Sequence, residues 1–266
     1  MKRRHSLALM GLLLSGGALG VPAMADYRSD AISVEVIDRK GQPFEVFPLR
    51  SAPSDNYRAY LKAERGASYR IRVRNRSGER IGVVVAVDGR NIISGRRSEL
   101  QPRESMYVLD PYETQDYAGW RTNLREVHEF FFTDWRDSYA EAFNDRSARG
   151  VIAVAVFRDR DWQAQLRERE PAAELSRGEG QVAGSADSAA RAAAAPGTGF
   201  GERRNDPARR VQFSADATPV MQSFLKYEWP ETLCQRGLGC ESGELTGSNR
   251  FWPDDNRGFA PYPRRR

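Results

Sequence analysis

Few residues in this chain have the type and spacing for chemistry. His128 is the one histidine beyond the first 25 residues, so a Ser–His–Asp arrangement would have to recruit it as the base. It stands in an apolar run, residues 127–133 (VHEFFFT), beside Phe130 and Phe132. A strand histidine in that setting is expected to pack rather than to shuttle protons. No G-x-S-x-G elbow and no glycine-rich phosphate cradle occur. Cys234 and Cys240 are the two cysteines. A zinc site would need both of them, His128 and a distant fourth ligand. A close, lone pair reads instead as a disulfide, which in so short a loop is worth about 2 kcal/mol.

Asp254-Asp255-Asn256-Arg257-Gly258 has the look of a calcium loop. The EF-hand pattern places a glutamate six residues after its glycine, and here that position is Arg264, so a polar turn is expected. Glycoside hydrolysis needs two carboxylates at a set separation in space. With 36 acidic residues, sequence alone singles out no pair. No catalytic, cofactor-binding or metal-binding residue is therefore assigned, and no cofactor is expected.

The aromatic residues offer a binding surface. Tyr112, Tyr117, Trp120, Trp135 and Tyr139 gather in the middle of the chain with Arg121 and Arg136. From these, Tyr112, Trp120, Arg121, Trp135 and Tyr139 make the candidate surface. Exposed rings there would stack on sugars or anchor a partner protein. Buried, the same rings would close the core beneath long loops.

The elements that would position these residues are strands. Tyr69-Arg70-Ile71-Arg72-Val73-Arg74 alternates strictly, which puts three apolar side chains on one face and three arginines on the other. Residues 81–87 (IGVVVAV) and 151–157 (VIAVAVF) are continuous apolar runs, expected as strands covered on both faces. Further strands are expected at 32–37, 43–49, 106–109 and 127–133. Residues 58–63 (RAYLKA) are ambiguous, but Gly66 and the following strand suit a hairpin. Asp38–Gly41 and Asn75–Gly78 read as turns, and Asp88-Gly89 as a tight one. About eight short strands at this spacing indicate an antiparallel β-sandwich, immunoglobulin-like or jelly-roll-like, over residues 26–162.

Composition changes after that. Residues 163–207 are charged at first and then rich in Ala, Gly, Ser and Pro, with few large apolar side chains. Such a stretch buries too little to offset its ordering entropy and is expected as a flexible linker. Residues 208–240 read as a β-hairpin, strands at 210–214 and 220–229, followed by a short helix starting at Pro230 and stopping at Gly237. The hairpin is too small to stand alone and is expected to pack on the sandwich and complete it. Residues 241–266 read as an irregular tail.

The N-terminus carries a three-part export signal: Lys2, Arg3 and Arg4, an apolar centre from Leu7 to Leu14, and Ala23-Met24-Ala25 before Asp26. Residues 1–25 are expected to be cleaved, leaving a mature chain without a transmembrane segment in the periplasm or outside the cell. Removal of three basic residues leaves 38 basic against 36 acidic groups. That near-balance, without a recognition motif, points away from nucleic acid.

The ordered series Tyr60-Leu61-Lys62-Ala63, Tyr69 to Asn75, Val85 to Gly95, Tyr107 to Tyr112, Gly119-Trp120-Arg121, Gly150 to Phe157 and Gly197 to Glu202, with Phe224 to Tyr227, resembles a group of uncharacterised exported bacterial proteins. These have a β-rich domain and a Gly-rich linker to C-terminal strands. The resemblance implies that the Gly-rich piece and the last strands belong with the sandwich, and it brings no activity, cofactor or site residue. The expectation is an exported, non-enzymatic binding or structural protein of the bacterial envelope or extracellular space, its partner an envelope protein or a glycan. The alternative is an envelope hydrolase acting on glycan or ester bonds.

Overall fold

The computed structural model describes residues 26–28, 31–49, 56–162 and 195–240. The expected signal segment, residues 163–194 of the expected linker, and the expected tail with its Asp254 turn lie outside them. The described residues are mainly β and form two sheets. Sheet one contains β1 (Asp26–Arg28), β2 (Ile32–Ile37), β5 (Ser68–Asn75), β9 (Thr114–Tyr117), β10 (Gly119–Arg121), β11 (Glu126–Asp134), β13 (Pro196–Thr198) and β14 (Arg203–Asn205). Sheet two contains β3 (Val46–Pro48), β4 (Asn56–Lys62), β6 (Ile81–Val87), β7 (Arg90–Asn91), β8 (Tyr107–Leu109), β12 (Val151–Arg158) and β15 (Met221–Glu228). One helix, α1 (Pro230–Gln235), follows β15.

Alternation along β5 does what its period requires. Tyr69, Ile71 and Val73 are buried and share one core with Val83, Val85, Ile152 and Leu225 of sheet two. The three arginines lie on the other face, where Arg72 makes two bonds to Asp116 at 2.7 and 2.9 Å and Arg74 reaches Glu35 at 3.3 Å. These cross-strand pairs occupy the solvent side of sheet one. The apolar run of β6 is buried throughout. Ile81, Val83, Val85 and Val87 enter the shared core, while Val84 joins Ala155 and Phe157 on the outer face beneath Met106 and Phe213. A Cβ on Gly82 would run into Met106 Sδ and the Phe213 ring, so both side chains would have to shift to admit it.

Three expectations are corrected. Residues 58–63 do form a strand, but β4 makes no hairpin with β5. It pairs antiparallel with β3 and parallel with β15 in sheet two, whereas β5 lies in sheet one. Crossing between sheets brings Ala59 and Leu61 of β4 and Tyr69, Ile71 and Val73 of β5 into one core from different sheets. The second sheet is therefore mixed rather than purely antiparallel. The C-terminal hairpin is also absent. Ala215 bridges Asp159, but residues 210–214 form no strand. Instead β15 lies between β12 and β4, with Met221, Leu225, Tyr227 and Trp229 buried. Phe213 instead covers sheet two, packed against Val84, Ala155 and Phe157.

The third correction concerns the end of the expected linker. β13 pairs with one end of β11 and β14 with the other. Between them Gly199 N–H donates to Phe131 O at 2.9 Å and Gly201 N–H to Glu129 O at 3.0 Å. A side chain at Gly199 would collide with the Phe131 ring. Order here comes from backbone pairing over aromatic rings, which a count of large apolar side chains does not register.

The other turns follow the sequence. Asp88 and Gly89, with φ of 49° and 82°, connect β6 to β7 as a type I′ turn requires. Pro230 opens α1 after Trp229, and Leu233 is buried. Cys234 and Cys240 are joined by a disulfide.

Candidate functional site

The candidate aromatic surface is divided between core and solvent. Trp120 is buried, its Nε1–H donating to Gly199 O at 3.0 Å, its ring stacked on Tyr139 at 4.3 Å. Trp135 is buried under Arg149, with Nε1–H donating to Glu141. Tyr117 is buried and stacks on Tyr107 at 4.3 Å. Tyr139 is half-buried, between Trp120 and Phe200. Tyr112 alone is largely exposed, at 73 %, and Arg136 is exposed on its short 3-10 turn. The rings close the core, and Trp120, Trp135 and Tyr117 offer no open face for stacking.

His128 is equally engaged. Its Nδ1 lies 2.8 Å from Gly201 O, and its ring stacks on Phe200 at 4.0 Å. A carbonyl only accepts, so Nδ1 carries the proton and pins the tautomer. The histidine thereby clips the β13–β14 stretch onto β11. His128→Ala is expected to lower stability by about 1 kcal/mol, the size of one hydrogen bond with a ring contact. Urea denaturation reads this. An unchanged midpoint would show that the clip contributes nothing.

A buried polar cluster joins the two sheets. Asp88, fully buried in its left-handed turn position, accepts from Gly150 N at 2.7 Å, Thr198 N at 2.8 Å and the Tyr227 hydroxyl at 2.6 Å. Thr198 Oγ1 lies 2.8 Å from both Tyr227 Oη and Tyr69 Oη. Each hydroxyl has one hydrogen. With Tyr227 donating to Asp88, Thr198 must donate to Tyr227 and Tyr69 to Thr198, so the chain runs one way. Burial pushes both phenols well above their ordinary value. Burial also pushes the Asp88 carboxyl up to about 6, against the opposing hydrogen bonds from Tyr227, Thr198 and Gly150. Tyr227 belongs to sheet two, with Asp88 and Gly150 in the turns next to its strands β6 and β12, and Tyr69 and Thr198 belong to sheet one. The cluster is a tie across the core, sealed from substrate.

An open groove of about 1260 Å³ lies elsewhere, beside β8 and the inward face of β9 and lined also by residues 206–213. Arg121 crosses its floor, donating to Tyr107 Oη at 2.8 Å and to Asp206 Oδ1 at 2.8 Å. Arg80 is held by Asp159 at 3.2 Å and by Gln212 O at 2.6 Å. The groove's acids are engaged as well. Asp206 takes Arg121, Glu113 accepts Asp110 N–H, and Asp110 lies 3.7 Å from Arg80. Burial raises the Glu104 carboxyl, but bonds from Gln101 and Glu99 N–H outweigh it and hold the group below its usual range. Arg103, Arg209 and Arg210 are exposed on the groove, and among the described residues no ion pair or hydrogen bond engages their guanidinium groups. Five arginines and four acids line the groove, so its formal charge is +1, with Arg103, Arg209 and Arg210 as the cations that no described acid pairs.

Of the sequence candidates, the structure brings Arg121 to this groove, and leaves Tyr112, Trp120, Trp135 and Tyr139 off it. Arg103, Arg209 and Arg210 were not singled out by the sequence, since no pattern there places residue 103 beside residue 209. Among the described residues no cluster of histidine, cysteine and acidic side chains is placed to hold a metal ion. No family model, curated protein or solved structure matches this chain.

Proposed function

We propose that this protein is an exported, non-enzymatic binding protein of the bacterial envelope or extracellular space. On this reading the two sheets make a β-sandwich, immunoglobulin-like or jelly-roll-like, and the groove along β8 receives an anionic ligand. The observation that carries it is the trio of exposed arginines on the groove, Arg103, Arg209 and Arg210, which no described residue engages. Exposed guanidinium groups without partners are available for carboxylate or phosphate. Binding rather than catalysis is supported by the placement of Asp88. Burial pushes its carboxyl up to about 6, and it faces the core instead of the groove. The disulfide and the lack of any described helix long and apolar enough to cross a membrane are compatible with export.

Fluorescence anisotropy with labelled oligogalacturonate, oligoglutamate and polyphosphate tests the reading. At least one should bind, more weakly as salt rises. The variant R103E/R209E/R210E should lose roughly tenfold or more in affinity, while Tyr112→Ala should not. If the triple variant binds every probe as the wild type does, the groove is not the ligand site.

A further inference from the structure

We propose that the occupant of the groove is an extended acidic peptide segment of a partner protein, paired with the free edge of β8. This rests on the groove being the ligand site and adds what fills it. β8 pairs with β6 on one side alone among the described residues, and no backbone hydrogen bond joins it to residues 206–213, which line the same groove. A strand paired on one side turns alternate N–H and C=O groups toward the vacant side, a template for another strand. Nothing in the chemistry of β8 blocks that edge: Tyr107-Val108-Leu109 contains neither proline nor charge.

The walls specify what such a strand would carry. Arg103 comes from the loop before β8, and Arg209 and Arg210 from the opposite stretch of chain. Beside them Leu124 and Val211 are exposed at 46 % and 43 %. Charge and apolar surface are interleaved, which suits a chain alternating acidic and apolar side chains on its two faces. A glycan or a nucleic acid would seek an open ring to stack on. Of the three rings that line the groove, Tyr107 and Tyr117 stack on each other, and Phe213 lies against Gly82 with Arg80 over its ring. Tyr112, the most exposed ring among the described residues, does not line it. At about 1260 Å³ the groove also exceeds the roughly 300–1,000 Å³ typical of small-molecule pockets.

The test uses the full chain and four labelled probes: an alternating Glu-Val decapeptide, its Lys-Val counterpart, the Glu-Val peptide N-methylated at alternate amides, and oligogalacturonate of matched charge. The Glu-Val peptide should bind at least roughly tenfold more tightly than the other three. Its binding should fall by a similar factor in R103E/R209E/R210E. Equal binding of the N-methylated peptide overturns edge pairing and leaves the anion-binding groove standing. Tighter binding of oligogalacturonate overturns the peptide and likewise leaves the groove. Undiminished Glu-Val binding by the triple variant overturns both.

Discussion

Replacing Asp88 with alanine is expected to remove on the order of 5 kcal/mol of stability, comparable with the whole stability of a typical domain. Three buried donors lose their acceptor together: Gly150 N–H, Thr198 N–H and Tyr227 O–H. Each unsatisfied donor costs about 1–3 kcal/mol. Alanine must also hold the positive φ of 49° that aspartate tolerates better. The loss falls on the contact between sheets, so near-UV circular dichroism should show it before the far-UV signal does. Retention of the wild-type thermal midpoint by Asp88→Ala would remove the tie from the account of this fold. Asp88→Asn is expected to be much milder. Asparagine suits the left-handed turn and keeps one acceptor, and it ends the burial of a charge.

The same residue sets a pH dependence of definite sign. The Asp88 carboxyl is raised in the folded protein from 3.8 to about 6. Between these values the native state keeps the proton while the unfolded chain releases it. The native state then binds more protons, so stability falls as pH rises through this window and is level above it. The contribution is about 3 kcal/mol, present below pH 4 and gone above pH 6. Other acids titrate nearby, so the comparison is between wild type and Asp88→Asn. The difference in unfolding free energy between them should change by this amount across the window. Parallel pH profiles for the two proteins would show that Asp88 is not the group responsible.

Removing β15 is the second large perturbation. Chains ending at Asp216 should fail to fold, because β4 and β12 would lose the strand between them. Met221, Leu225, Tyr227, Trp229 and Leu233 would be lost from the core. At about 2 kcal/mol each, that is on the order of 10 kcal/mol. A cut that leaves all strands present should behave otherwise. With a protease site engineered between Gly184 and Ser185, the cleaved halves should co-elute on size exclusion and part only in denaturant. An N-terminal half that elutes alone with an unchanged thermal midpoint would mean that β15 contributes nothing to the sheet.

Period and turn chemistry made most of the strands legible. The alternation at 69–74, the apolar runs at 81–87 and 151–157, and the Asp88-Gly89 turn all mark elements that form where they were expected. The close cysteine pair and the Pro230 helix start were legible for the same reason: each is a signal contained within a few residues. What lay beside each strand was not. The crossing of β4 and β5 into different sheets, the parallel seating of β15 on β4 and the glycine-backed β13–β14 stretch depend on partners tens to more than a hundred residues away. The Asp88 carboxylate shows in sequence as a turn former alone, and its burial needs Thr198 and Tyr227 brought from later in the chain. The groove arginines come from positions 103, 209 and 210, which share no periodicity. Alternation tells a residue which face it occupies, but which strands lie side by side is decided by the joint burial of both sheets in one core, and that is a property of the whole chain.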